Sequence, residues 1–233
     1  RQHQLRFARN HGVAGHGAVA ATVGRGQFGR QWAKLDQQVA TLANAIEVRV
    51  PTSSAAWEIP LVALKYPVMY EESMNTVLQQ ELLRFNALLA VVNSSLIELQ
   101  KAIKGLVLLS ADLEQMGTSM IEGTVPTLWK TVSYPSLKPL GGWVNDLMAR
   151  IEFFQQWITQ NAPDVFWLPG FFFTQSFITG TRQNHARRSS IPIDEIDYDF
   201  QILTTQVEMS AWAKPKAGCY VHGLFLQGAA WDR

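Results

Sequence analysis

Three glycines near the amino end have the spacing of a dinucleotide-binding loop. Gly24, Gly26 and Gly29 form a GxGxxG pattern, and Glu47 follows at about the twenty-residue distance at which such a site holds ribose. The run before it, Val19 to Val23, is rich in alanine rather than valine or isoleucine, and no second strand pattern follows. Isolated matches to this motif are frequent by chance. We therefore favour a low-complexity region over a nucleotide site.

Other groups that could bind a metal or act in catalysis are scattered along the sequence. A cluster of carboxylates suggests a hard-cation site; its members are Asp194, Glu195, Asp197 and Asp199. No glycine supplies a tight loop turn there, so a solvated strand edge that discourages edge pairing is favoured. The histidines are His3, His11, His16, His185 and His222. Their spacing matches no defined metal site, and we interpret them as tail or surface residues.

The common catalytic signatures are absent from the sequence. No Gly-Lys-Ser/Thr occurs, and neither do CxxC, HExxH or GxSxG. Cys219 is the single cysteine, so no intramolecular disulfide can form, and a reducing compartment is favoured. We expect a polypeptide without catalytic residues, cofactor or metal of its own.

Charge and hydropathy argue against two classes of partner. No acidic residue precedes Asp36, whereas the whole sequence has a net charge of +1. This distribution is a basic arm on a mildly acidic body, not the basic face of a nucleic-acid-binding domain. The longest apolar candidate for a membrane span, Val165 to Ile178, is shorter than the roughly 20 residues required and contains proline and glycine. We expect neither nucleic acid nor membrane as a partner.

Helical periodicity is clearest in two stretches between residues 31 and 120. Residues 31–48 have apolar side chains at helical spacing. A longer helix is predicted from Ser73, with apolar residues at alternating steps of four and three; they are Leu78, Leu82, Phe85, Leu89, Val92, Leu96, Leu99, Ile103 and Leu106. This heptad seam permits a free-standing coiled-coil scaffold. Further apolar positions widen the stripe and favour a helix inside a globular bundle; they are Leu83, Leu88, Val91, Ile97 and Val107.

The last third of the sequence combines helices with a change of period. A helix is predicted over 143–159, and a shorter one over 174–187 follows an aromatic segment that begins at Pro163. Aromatic clusters form cores or docking surfaces. After Ile191 the period becomes two, which predicts strands over 198–202 and 220–226. The predicted fold class is α+β and mostly helical, with long helices followed by a small antiparallel sheet, an incomplete β-barrel-like unit.

Several long blocks of this sequence are collinear with one known family. They are YPVMYEESMNTVLQQELLRFN, KAIKGLVLLS, SYPSLKPLGGW, FWLPGFFFTQSFITGTRQN, IPID and GLFLQGAAWDR, and they span residues 66–233. Together they resemble the carboxy-terminal region of axonemal dynein heavy chains, with a weaker likeness over 39–51. The block GFFFTQ (170–175) resembles the axonemal branch in particular.

The resemblance implies a function and a set of structural residues. It implies a non-catalytic carboxy-terminal domain that braces the AAA+ ring of a microtubule motor, with ATP bound elsewhere in the heavy chain. Expected partners are that ring and, indirectly, microtubules and other dynein subunits, in the axoneme of a cilium or flagellum. The structural signature carried over is Ser73, Asn75, Pro135, Pro139, Trp143, Phe166, Trp167, Gly170, Phe171, Phe172, Phe173, Gln175, Gly180, Gln183, Asn184 and Trp231.

The resemblance also divides the sequence into parts. Residues 1–35 match nothing in the family and are expected to be a disordered extension. Residues 36–65 are expected to lead from the sixth AAA+ module, and 66–190 to form the helical part of the domain. Residues 191–233 would begin the β part, which family members continue with further strands.

Overall fold

A computed structural model describes residues 28–49, 57–199, 215 and 218–223. The helices are α1 (Phe28–Arg49), α2 (Ile59–Lys65), α3 (Ser73–Ile103), α4 (Ala111–Ile121), α5 (Thr127–Lys130), α6 (Leu140–Gln160) and α7 (Thr174–Ser189). The strands are β1 (Val165–Trp167) and β2 (Tyr220–His222), and short 3-10 turns cover Leu168–Gly170 and Ile193–Glu195. The mostly helical α+β class is confirmed.

Helix α3 is the central element of the core. Its heptad positions from Leu78 to Leu99 are buried, and it is contacted by helices α1, α4, α5, α6 and α7 of the same molecule. The seam is therefore covered internally, which favours the globular bundle over the coiled-coil scaffold. Gly105, at a φ of 72°, follows the end of α3, as its conformational freedom predicts.

Not all apolar positions of α3 join this core. Leu88 is buried, but Leu83 and Ile97 are exposed on the helix, and Val107 lies exposed in the loop that follows it. Among the described residues, α3 is also the helix that is long and apolar enough to cross a membrane by length and composition. The expectation that Val165–Ile178 is the longest apolar candidate was therefore wrong.

The small sheet differs from the prediction in its direction. β1 and β2 pair in parallel, with Val165 opposite Tyr220 and Trp167 opposite His222. The antiparallel sheet was thus wrong for the described strands. The physical reason is that α7 lies between the two strands in sequence, and a helical crossover brings the second strand back in the same direction.

Two other expectations near the strands need correction. Residues 198 and 199 are irregular, so the strand expected over 198–202 is absent from its described part, and 200–202 lie outside the described residues. The strand expected over 220–226 is confirmed for 220–222, while 224–226 lie outside.

The first described helix, α1, overlaps the amino-terminal segment 1–35. α1 begins at Phe28, and Leu35 is fully buried in the core. Residues 1–27, including the three tail histidines, Gly24 and Gly26, lie outside the described residues. Gly29 lies in α1. The other domain boundaries stay predictions.

Candidate functional site

The start of α3 is held by side chains of α7. The backbone N–H of Ser73 donates to Oδ1 of Asn184 at 2.7 Å, and Ser73 Oγ donates to Oε1 of Gln183 at 2.8 Å. The side-chain amide of Asn184 donates to the carboxylate of Glu72. Helix amino ends leave unpaired N–H groups, which must find partners. α7 supplies one of these partners from a segment far away in the sequence.

Charged groups reinforce this α3–α7 junction. Glu72 accepts from the backbone N–H of Met74 at 3.3 Å and forms an ion pair with Arg188 at 3.0 Å. Arg187 donates to Ser73 Oγ at 2.7 Å and to the Tyr70 carbonyl, and lies 4.1 Å from the centre of the Tyr70 ring. The resemblance identified Ser73, Gln183 and Asn184 but missed Glu72 and Arg187. A carboxylate directly before the predicted helix start at Ser73 was the available signal.

Gly180 allows α7 to lie close to α3. A Cβ at this position would lie 3.1 Å from Val77 Cγ2, 3.3 Å from Met74 Sδ and 3.7 Å from Ser73 Cβ. These distances leave no room for a larger side group. The glycine thus sets the separation of the two helices at the junction.

Replacing Gly180 with leucine should lower the free energy of unfolding by about 2–3 kcal/mol, because overpacking pushes the helices apart. Gly180→Ala should change it by less than about 1 kcal/mol, since Met74 can yield and alanine favours the helix. Urea unfolding measures both. The control is Gly141→Leu, at a glycine in α6 with nothing within 4 Å of its Cβ. An equal loss in that variant would contradict the steric explanation.

The aromatic segment forms a core and not an open patch. Phe166, Phe171 and Phe177 are buried, and Phe171 lies 4.7 Å from Phe177 and 5.6 Å from Phe154 between ring centres. Phe172 lies 5.1 Å from Phe85 of α3. The rings therefore join α3, α6 and α7 around β1. Phe173 is the exception, with half of its surface exposed.

Gly170 is required by the same arrangement. A Cβ there would lie 2.6 Å from Cε3 of the Trp167 ring, closer than any side group tolerates. Trp167 in turn lies 6.1 Å from Phe153 and 5.5 Å from the Arg150 guanidinium. The turn Leu168–Gly170 thus folds the backbone over an aromatic ring.

A buried carboxylate holds the end of the aromatic segment. Glu81 of α3 is fully buried and accepts from the backbone N–H groups of Phe172 and, at 3.1 Å, Phe173. Arg84 lies 2.9 Å from it. Burial raises the pKa of Glu81, against the opposing effect of these donors. The sequence reasoning missed Glu81, although a carboxylate beside an apolar heptad position was visible.

A second buried ionic group lies on α6. Arg150 donates from Nε to Asp146 Oδ2 at 2.7 Å and from Nη1 to the Phe171 carbonyl at 3.3 Å, and its guanidinium lies 3.7 Å from the Tyr134 ring centre. Lys138 also donates to Asp146. Burial raises the pKa of Asp146, but hydrogen bonds from Lys138 and Arg150 outweigh it, and the pKa is lowered. These pairs tie the loop before α6 to the aromatic segment.

The remaining residues of the structural signature occupy several places. Pro139 caps α6, and its carbonyl accepts from the Trp143 N–H at 2.8 Å. The Trp143 ring is stacked on Trp129 at 5.6 Å, and Asn75 donates to the Pro67 carbonyl at 2.8 Å. Pro135 follows the buried Tyr134 in the same loop, and Trp231 lies outside the described residues.

A shallow groove of about 520 Å³ runs beside the α3–α7 junction. Gln175, Gly180 and Gln183 line it together with Phe173 and Arg187. Its walls are mostly uncharged, and Arg187 already pairs with Ser73. Among the described residues, no group of three or more histidine, cysteine, aspartate or glutamate side chains could hold a metal ion. The network of this site fastens helices, and its visible chemistry is hydrogen bonding and packing.

Comparison with known protein families matches most of the sequence to one family. The family model for the C-terminal domain of the dynein heavy chain matches residues 17–233. The match begins at residue 17, so part of the segment 1–35, expected to match nothing in the family, lies within the family region.

Three relatives illustrate the similarity. The present sequence is 52% identical to mouse dynein axonemal heavy chain 3 over 84% of its length and 46% identical to rat dynein axonemal heavy chain 1 over 98%. It is 45% identical to human dynein axonemal heavy chain 12 over 85% of its length. It spans 5%, 5% and 6% of these relatives, respectively, and therefore corresponds to a small part of each.

Proposed function

We propose that this polypeptide, which belongs to the family of C-terminal domains of dynein heavy chains, is a structural and regulatory part of an axonemal dynein heavy chain. It works in the axoneme of a cilium or flagellum, as part of a microtubule motor. Its role is to brace the AAA+ ring of the same heavy chain. ATP is bound elsewhere in that heavy chain, since the present sequence has no Gly-Lys-Ser/Thr segment.

The observation that carries this proposal is the continuous core that joins distant helices. Glu81 of α3 holds the backbone of the aromatic segment, and Arg150 of α6 holds the same segment at the Phe171 carbonyl. Groups fastened in this way move as one body rather than as separate helices. A rigid body can transmit force, and it can shift the equilibrium of a ring between conformations by its different contact energies with each.

The test compares the heavy-chain motor with and without residues 66–233. We expect microtubule-stimulated ATP turnover and gliding velocity to change by about twofold or more, with a dependence on load, because the ring loses contacts that favour one conformation. Full-length motor with Gly180→Leu should show a smaller change in the same direction. Unchanged turnover and velocity in both proteins, across nucleotide concentrations and loads, would contradict the regulatory role.

The absence of catalysis within residues 1–233 is tested separately. Titration of this polypeptide with ATP and with NADPH should show no saturable binding. Saturable binding that is lost on replacing Gly24 and Gly26 would instead support the nucleotide-binding alternative.

A further inference from the structure

Between Leu83 and Ile97, one side of α3 faces solvent without any charge. Leu83, Ala87, Ala90, Ser94 and Ile97 recur at steps of four and three, so they share one face of the helix, and all are exposed. Leu83 is 53% exposed and Ile97 is 43% exposed. At 1.5 Å per residue this outer face of α3 is about 21 Å long. It lies away from the buried heptad seam.

The lack of charge distinguishes this face from an ordinary helix surface. No lysine, arginine, aspartate or glutamate occurs from residue 85 to 97. Surface helices keep their outer face in water with charged and polar residues. Directly after α3, the loop 106–109 is also apolar, with Leu106 71% exposed and Leu108 94% exposed. Apolar patches of this kind indicate an interaction site.

We propose that the outer face of α3 is a permanent docking surface for an apolar, uncharged helix of the same heavy chain, from a part outside residues 1–233. The inference rests on the proposed function and adds which surface makes the contact. The small side chains of Ala87, Ala90 and Ser94 lie between the larger Leu83 and Ile97, so the side-chain ridge of another helix can approach α3 closely there.

Two observations select this occupant. Interfaces without charge are typical of obligate contacts, whereas transient partners use polar and charged groups for recognition. The present sequence spans 5% of mouse dynein axonemal heavy chain 3, so most of such a polypeptide lies outside this domain and is tethered to it. Tethering keeps a partner at about millimolar effective concentration.

The contact can be mapped directly in the motor. Benzoylphenylalanine replaces Ile97 in the full heavy-chain motor, and the cross-linked peptide is identified by mass spectrometry after irradiation. We expect a peptide of the same heavy chain from outside residues 1–233. Adding Ala90→Glu should lower the yield about tenfold, because the charge would be buried without a partner.

Ala149→Glu is the matched control, since Ala149 is an exposed alanine within α6. It should leave the cross-link yield unchanged. In the polypeptide of residues 1–233, both glutamate variants should keep the thermal midpoint within about 2 °C, as exposed substitutions do. An equal loss of yield in both variants would overturn the proposal.

Other occupants give different results. A cross-link between two copies of the motor would assign the face to self-association. Flotation of residues 1–233 with phosphatidylcholine vesicles, if Ala90→Glu abolished it, would assign the face to lipid binding. Either result would overturn the proposal. A cross-link to another subunit, or none at all, would also overturn it. The cross-link reports contact whether or not motor output changes, so its failure is distinct from failure of the proposed function.

Discussion

Replacing Phe171 with alanine is expected to lower the free energy of unfolding by about 4 kcal/mol, the middle of the range for truncating a buried aromatic residue. Phe171 is only 2% exposed, and its ring lies 5.6 Å from Phe154, 6.3 Å from Trp157 and 4.7 Å from Phe177. Truncation leaves a cavity between α6 and α7 that the surrounding helices cannot fill. Urea or guanidinium unfolding, followed by tryptophan fluorescence, measures the loss.

The neighbouring Phe173 provides a matched control. It is the same residue type two positions away, but it is 50% exposed, and its ring lies 5.5 Å from the Arg84 guanidinium. Phe173→Ala should therefore cost about 1 kcal/mol or less. Similar losses in the two variants would mean that the segment does not pack as described.

Replacing Glu81 with alanine is expected to cost about 3 kcal/mol, because buried donors without a partner cost about 1–3 kcal/mol each. The change leaves the backbone N–H groups of Phe172 and Phe173 without their acceptor and removes the partner of Arg84. Glu81→Gln keeps one acceptor oxygen and should cost less. Glu152→Ala, at an exposed site, is the control. If Glu81→Ala lowered the free energy of unfolding no more than Glu152→Ala does, the role of Glu81 as a buried acceptor would be contradicted.

The pH dependence of Glu81→Gln has a defined sign. In the folded state the pKa of Glu81 is raised above its ordinary value of 4.5, mainly by burial. The folded state then binds the proton more tightly, so the stability from Glu81 is fully present below pH 4.5 and is lost as pH rises through the folded pKa. The deficit of Glu81→Gln relative to the parent should therefore shrink from about pH 4 to about pH 7. Chemical unfolding at both values measures this difference, and a deficit that grows with pH would show that the pKa is lowered.

Phe171 and Glu81 stabilise the core in two different ways. Phe171 contributes packing that requires α6 and α7 to be close, whereas Glu81 contributes hydrogen bonds that require α3 and the aromatic segment to be in register. Packing tolerates small shifts, but hydrogen bonds have narrow geometry. The combination holds α3, α6, α7 and the aromatic segment in one arrangement, as the proposed bracing role requires.

Local sequence patterns were sufficient for much of the helical part. The heptad positions from Leu78 to Leu99 predicted both the existence of α3 and its buried side, because side chains three and four residues apart share a helix face. The aromatic segment was recognised as a core candidate from composition. The collinear blocks were enough to identify the family.

The tertiary structure decided what those patterns leave open. The partner of β1 is β2, from beyond α7, and the acceptor for Phe172 and Phe173 is Glu81, 91 and 92 residues earlier. Periodicity within one segment reports which face of that segment is apolar, but not which distant segment will cover it. Leu83 and Leu88 are both leucines on α3, yet the first is exposed and the second is buried. Only the contacts between distant segments separate them, because burial depends on the neighbours that folding brings together and not on the residue type alone.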